Sequence, residues 1–226
     1  ELNGVPLIDH VIQRLAASRF IDRIIVATTD EPDDQELVEH CARRGIPCHR
    51  GEKDNVLARI IGAGDAFRCQ KIVRVCSDNP LIDVAALDGQ LALFSARSGL
   101  DYCTHTAPDG QPIILKPIGL FVEAVTIAAL KRVAEQAAAP KYLEHVTMFI
   151  YEHPQQFRIH TIALDEAVNT DYRFTIDYPE DVAFLEEILQ LTTDYSMASL
   201  LALMEQNPTL SERNLRFSMS HRKDYS

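Results

Sequence analysis

The sequence predicts an α/β fold in which a mostly parallel sheet is covered by helices on both faces. Three observations predict it. Short β-branched runs alternate with amphipathic stretches of roughly 10–15 residues, the rhythm of strand–helix–strand units. The runs, such as Ile24-Ile-Val-Ala and Ile72-Val-Arg-Val, are almost wholly apolar, as strands buried on both faces are. Caps and breakers (Asp30, Gly45, Asp83) fall at the joints between them.

Taken in order, Pro6 opens a helix whose Leu7, Val11 and Leu15 recur on one face, with Ile8 and Ile12 beside them. Residues 22–28 read as a buried strand. A turn at 29–33 feeds the next helix, with Asp30 as its cap and Asp33 and Asp34 at its positive end. Gly45 ends that helix, and 46–48 are extended. A polar loop at 50–55 leads to a helix at 56–67, and a strand at 71–76 runs into Ser77-Asp-Asn-Pro80. Asp83 then caps a helix carrying Leu87, Leu91 and Phe94. From Gly99 the pattern shifts to short strand-like pieces at 101–104, 112–115 and 118–122 around Pro108-Asp-Gly110, read as a small antiparallel region inserted at the sheet edge. Helices at 124–136 and 140–152 follow, then strands at 157–163 and 172–176, and helices at 179–190 and 195–206. Residues 1–206 form one domain in this reading, with 99–165 as the inserted region and 207–226 as a polar, partly mobile tail.

With 226 residues, the chain suits one large domain. Its 22 basic and 33 acidic residues give −11, which argues against a broad footprint on nucleic acid or anionic membrane. A 46% hydrophobic and 24% charged composition excludes wholesale disorder. No apolar run approaches the roughly 18–20 residues that span a bilayer. The cysteines, Cys41, Cys48, Cys69, Cys76 and Cys103, are scattered without a Cys-x-x-Cys pair. They read as reduced thiols of a cytoplasmic protein, not as a disulfide framework or zinc site. The chain opens on Glu1 with no export signal, and a helix so close to its start leads us to expect a segment upstream.

Ligands of open parallel sheets bind beyond the carboxyl ends of the strands. Three polar clusters fall there: Thr28-Thr-Asp30, Ser77-Asp-Asn79 and Asp177. Asp78 and Asp177 are each the first acid after an apolar strand, and two converging carboxylates without His or Cys favour a hard cation such as Mg²⁺. The plainer readings stay open at this point. Asp177-Tyr-Pro-Glu180 also spells a helix-capping box, and Asp78-Asn-Pro80 an ordinary turn. Arg74, inside an apolar strand, needs either a structural carboxylate or a ligand phosphate. Arg50 and Arg59 taken alone suit solvated positions, and His145 suits a helix face with one hydrogen bond. No P-loop, Gly-x-Gly-x-x-Gly or Gly-x-Ser-x-Gly is present.

Several stretches together carry a resemblance. They are Asn3-Gly-Val-Pro-Leu-Ile8, Ile24-Ile-Val-Ala-Thr-Thr-Asp30, Arg50-Gly51 with Asp54-Asn-Val-Leu57 and Arg59, Arg74-Val-Cys-Ser-Asp-Asn-Pro-Leu-Ile-Asp83, Glu144-His-Val-Thr147 and Thr175-Ile-Asp-Tyr-Pro-Glu-Asp181. In this order they resemble the SpsF-type cytidylyltransferases, relatives of the acylneuraminate and Kdo cytidylyltransferases. The resemblance implies a Rossmann-like, three-layer nucleotide-diphospho-sugar transferase fold and transfer of CMP from CTP to a sugar acid, in a cytoplasmic homodimer serving surface polysaccharide synthesis. By the same resemblance Asp78 and Asp177 hold Mg²⁺ and are catalytic. Thr28, Asp30, Arg50, Asp54, Arg74 and Asn79 line the nucleotide, and Glu123, Glu144 and His145 face the acceptor or the dimer contact.

Two departures from that family stand out. Its opening strand and triphosphate-wrapping loop have no counterpart here, so the 226-residue chain is expected to be truncated and inactive alone. At Phe121 and Leu143, relatives carry an acid and an arginine, which leads us to expect a different acceptor. Two other readings compete: a catalytically dead paralogue acting as an interaction subunit, and a GT-A-like glycosyltransferase. The second lacks an Asp-x-Asp motif at 77–79.

Overall fold

The computed structural model describes residues 1–221 and alternates helices and strands in three layers. Its elements are α1 (Leu7–Ala16), β1 (Val26–Thr29), α2 (Gln35–Arg44), β2 (Cys48–Gly51), α3 (Val56–Ala66), β3 (Lys71–Arg74) and α4 (Val84–Ala96), followed by β4 (Tyr102–Thr106), β5 (Glu123–Thr126), α5 (Ile127–Gln136), α6 (Pro140–Glu144) and α7 (Met148–Glu152). The last are β6 (Ile159–Ala163), α8 (Pro179–Leu191), α9 (Met197–Gln206) and α10 (Pro208–His221).

Local chemistry explains most boundaries. Asn55, Asp83, Thr126 and Ser196 each accept the N–H three residues on, capping α3, α4, α5 and α9. Gly45 ends α2 at φ 66°, the left-handed conformation that glycine adopts without a Cβ clash.

Strand side chains alternate between two helical layers. On β4 and β5, Tyr102 and Val125 face a cluster with Leu57, Leu130 and Val133. Cys103 and Ala124 face one with Val11, Leu15, Leu91 and Phe94. Hence α3, α5 and α7 cover one face, and α1 and α4 the other. A third cluster, around Leu2, Leu81, Phe174, Phe184, Leu200 and Met204, closes the end where α8, α9 and α10 meet.

The sheet comes in two pieces. β1 and β2 are a parallel pair, and the other strands run β3-β5-β4-β6. β5 is antiparallel to both its neighbours, while β4 and β6 are parallel. The antiparallel character is therefore a reversed strand inside the sheet, not an insertion at its edge. Between β1 and β3 lies a slot of about 1160 Å³ lined by apolar side chains including Ile12, Leu15, Val26, Ile60 and Ile72. Strands 22–28 and 71–76 of the sequence reading shorten to β1 and β3, each bonded on one edge only.

Other expectations are corrected. Residues 113–115 form a 3-10 turn and 118–122 no strand; β5 starts at Glu123. The helix read over 140–152 breaks at 145–147 into α6 and α7. Residues 172–176 make no ladder, because their backbone groups bond to three separate partners, described below. Residues 208–221 are helical rather than a tail, since Leu210 and Leu215 give α10 an apolar side; the reading of 222–226 lies outside the described residues.

Candidate active site

Beyond β3 the chain turns at Cys76–Asn79, with the Asn79 N–H on the Cys76 carbonyl at 3.3 Å. Asp83 anchors the end of this loop: its N–H donates to Leu120 O, Oδ1 caps α4 and Oδ2 accepts the N–H of Met197 at 2.8 Å. Held at both ends, the loop sets Asp78 so that Oδ1 is buried with no hydrogen-bond partner.

The segment 172–178 crosses beside it. Ile176 N–H donates to the Asp78 carbonyl at 2.9 Å, which joins the two acid-bearing segments through the backbone. Gly119, at φ 62°, permits the close approach of the neighbouring loop: a Cβ there would lie 2.7 Å from Thr175 Cγ2 and 3.2 Å from the Phe174 backbone.

Asp177 and Asp78 feel one another. Burial first, then the Asp177 charge, push the Asp78 carboxyl up, while its own backbone N–H, Arg74 and Arg173 act the other way. The Asp177 Oδ2 accepts from Arg173 and from Thr175 Oγ1. Capping of α8 belongs to Asp181, whose Oδ2 accepts the N–H groups of Asp177 and Tyr178, both at 2.9 Å. The capping reading of Asp177 thus gives way, and its carboxylate, about a quarter exposed, is left to the site. Among the described residues no group of three or more His, Cys, Asp or Glu side chains is placed to hold a metal ion.

A second cluster closes the ends of β1 and β2. The Asp34 Oδ2 accepts from the hydroxyls of Thr28 and Thr29 and from the Thr29 N–H. The Thr28 hydrogen bond, followed by those of Thr29, pulls the Asp34 carboxyl down to about 2. Arg50 binds the carbonyls of Thr29 and Glu31 and the Gln35 side chain. Thr28, Asp34, Arg59, Arg74 and Asp78 border one cavity, the slot between β1 and β3.

Not every expected residue stands open to a ligand. Arg50 is a strand residue that braces the 29–35 turn, and Thr28 spends its hydroxyl on Asp34. Asp30 and Asp54 are exposed, and the Asp30 N–H bonds Gly51 O. Asn79 is buried in its turn. Glu144 and His145 are exposed together at the break between α6 and α7.

Glu123 is a correction. It is fully buried, bound to Arg74 at 2.8 Å, to Thr147 Oγ1 at 2.7 Å and to the Tyr102 hydroxyl, so it faces no acceptor. That pairing gives Arg74 the carboxylate its burial requires. Burial works against the Arg74 charge, but Glu123 prevails and holds the guanidinium above its ordinary value. The Phe121 ring lies tilted against that of His105, with centroids 4.6 Å apart, and Leu143 packs, partly buried, against the Val125 cluster.

Asp34, Arg173 and Asp181 were not foreseen. Arg173 sits in the apolar run Tyr172-Arg-Phe174, the same signal that marked Arg74. Asp34 was read only as an acid at a helix start; its partners, Thr28 and Thr29, lie six and five residues back at the end of β1.

Residues 1–212 match the family described as cytidylyltransferase. The spore coat polysaccharide biosynthesis protein SpsF of Bacillus subtilis is 30% identical over 217 residues, 92% of this chain and 86% of that protein. Among solved structures, a cytidylyltransferase of Leptospira borgpetersenii superposes with TM-score 0.83 at 24% identity, covering 93% of this chain and 87% of that one. A CMP:2-keto-3-deoxy-manno-octonic acid synthetase complexed with CTP superposes at TM-score 0.62 and 13% identity, over 84% and 90%. The three-layer fold is therefore that of nucleotidyltransferases, and the chain belongs to the cytidylyltransferase family.

Proposed function

We propose that this protein transfers CMP from CTP to a hydroxyl of a sugar acid or related acceptor, for the synthesis of a surface polysaccharide. The acceptor oxygen bonds to the α-phosphorus, the bond to the bridging oxygen breaks, pyrophosphate leaves with that electron pair, and the hydroxyl proton passes to solvent. Family membership and the likeness to the SpsF protein support the reaction class. The observation that carries the site is the meeting of Asp78 and Asp177, with the Asp78 Oδ1 buried and unpartnered.

Two hard oxygen donors at such a point fit Mg²⁺. Bound there, Mg²⁺ would neutralise triphosphate charge and orient the α-phosphate. The chain's own contribution is preorganisation: Arg173 fixes the Asp177 carboxylate, and Asp83 fixes the Asp78 loop. Glu144 and His145, exposed together, are the acceptor-side residues of this reading.

The slot between β1 and β3 opens beside Asp78. A pyrophosphate-release assay with a panel of nucleotides, sugar acids and polyol phosphates tests the proposal. CTP-selective, acceptor-dependent release that disappears in Asp78→Asn and Asp177→Asn supports it. Release unaffected by either substitution refutes it.

A further inference from the structure

The segment 172–178 is an irregular stretch that must still satisfy its backbone groups. Phe174 N–H goes to Pro117 O at 3.3 Å, Ile176 N–H to Asp78 O, and Asp177 N–H to Asp181. Arg173 is served from α10. The Asn214 Oδ1 accepts the Arg173 N–H at 2.9 Å and its Nδ2 donates to the Arg173 carbonyl at 2.8 Å. One side-chain amide thus stands in for the peptide group of a missing neighbouring strand. Asn214 is 3% exposed, so neither bond has water as a ready substitute. One turn earlier on α10, Ser211 Oγ meets the Tyr172 hydroxyl at 2.8 Å.

From Arg173 the chain of contacts is short. Its backbone is gripped by Asn214, while in its buried side chain the Nε–H is shared between both Asp181 oxygens, at 3.0 and 3.1 Å, and Nη2 donates to Asp177. A guanidinium so divided has no freedom to follow a backbone that shifts. We propose that Asn214 is a positioning residue for Asp177, and that α10 is a working part of the site. The proposal rests on the reading of Asp177 as a metal-holding carboxylate.

The test compares Asn214→Ala with Leu210→Ala, which removes apolar packing from the same helix within its buried cluster. Two readouts are taken: amide hydrogen exchange, and the Mg²⁺ dependence of CTP binding by titration calorimetry. Asn214→Ala is expected to speed exchange at 172–178 about tenfold and to raise the half-saturating Mg²⁺ at least fivefold, with binding restored at high Mg²⁺. Leu210→Ala should lower the melting temperature but leave both readouts near wild type. Equal effects of the two substitutions on both readouts overturn the proposal, since Asn214 would then be one more stabilising contact. If wild type binds CTP without any Mg²⁺ requirement, the metal reading of Asp177 fails. The exchange pattern then decides alone: loosening confined to 172–178 in Asn214→Ala upholds the positioning role, and its absence refutes it.

Discussion

The Ile176 N–H donates to the Asp78 carbonyl at 2.9 Å, and this one bond brings together acids that lie almost a hundred residues apart. Asp78 is consequently buried beside a like charge, a costly position that a structural role does not require.

Asp78→Asn relieves that cost. The melting temperature should hold or rise, while Mg²⁺-dependent pyrophosphate release falls by about 100-fold or more. Thermal melts run beside the release assay check both halves, and a lower melting point with intact turnover would contradict the assignment.

Glu123→Ala strips Arg74 of its counter-charge and leaves the Tyr102 and Thr147 hydroxyls without an acceptor, all inside the core. The expected loss is about 3–5 kcal/mol, measurable by urea unfolding. Glu123→Gln, which keeps an acceptor oxygen, should lose less.

His105 sets a pH dependence. Its ring is buried against Phe121 with Nδ1 unpartnered, and burial lowers it to about 4 from 6.5, with Asp83 opposing weakly. Below 6.5 the unfolded chain takes up this proton and the folded one does not. Stability is therefore complete above 6.5 and declines as pH falls toward 4, by up to about 3 kcal/mol. Urea midpoints at pH 7 and pH 5 should differ in wild type and differ less in His105→Leu.

Asp34→Ala removes the shared acceptor of Thr28 and Thr29. Amides at 28–35 should exchange about tenfold faster at neutral pH. Because the Asp34 carboxyl is held at about 2 against an ordinary 3.8, its contribution persists above that ordinary value and fades as pH drops toward 2. Exchange in variant and wild type should therefore converge in strong acid.

Gly119→Ala places a Cβ against Thr175 and the Phe174 backbone at a positive φ. A cost of about 1–3 kcal/mol is expected, with exchange quickened at 173–177.

Layering and element order were legible in the sequence because apolar periodicity is local; of the caps, Asp83 and Gly45 were legible too, whereas Asp30 makes no cap and the helix that follows it has no side-chain cap. Asp83 caps its helix through a neighbour only three residues away. Burial of a charged side chain is not local. Glu123 looked available to an acceptor because its partners, Arg74 and Thr147, come from opposite directions along the chain. The helix of 208–221 was missed for a similar reason: its polar sequence conceals an apolar side that matters only where Leu200 and Met204 receive it. Asp177 read equally well as a cap until Asp181 was seen to do that work.

The gap between β1 and β3 has a thermodynamic consequence. Among the described residues no ladder bond ties β1 and β2 to the other four strands; they are held by α3, which packs on both, by Asp9 of α1 with His40 and Arg44 of α2, and by Arg19 of the α1–β1 connection on Asp88 of α4. Such a molecule should not melt as one cooperative unit. The β1–α2–β2 lobe should open first, giving a calorimetric enthalpy larger than the van't Hoff value and an early proteolytic cut within residues 22–55.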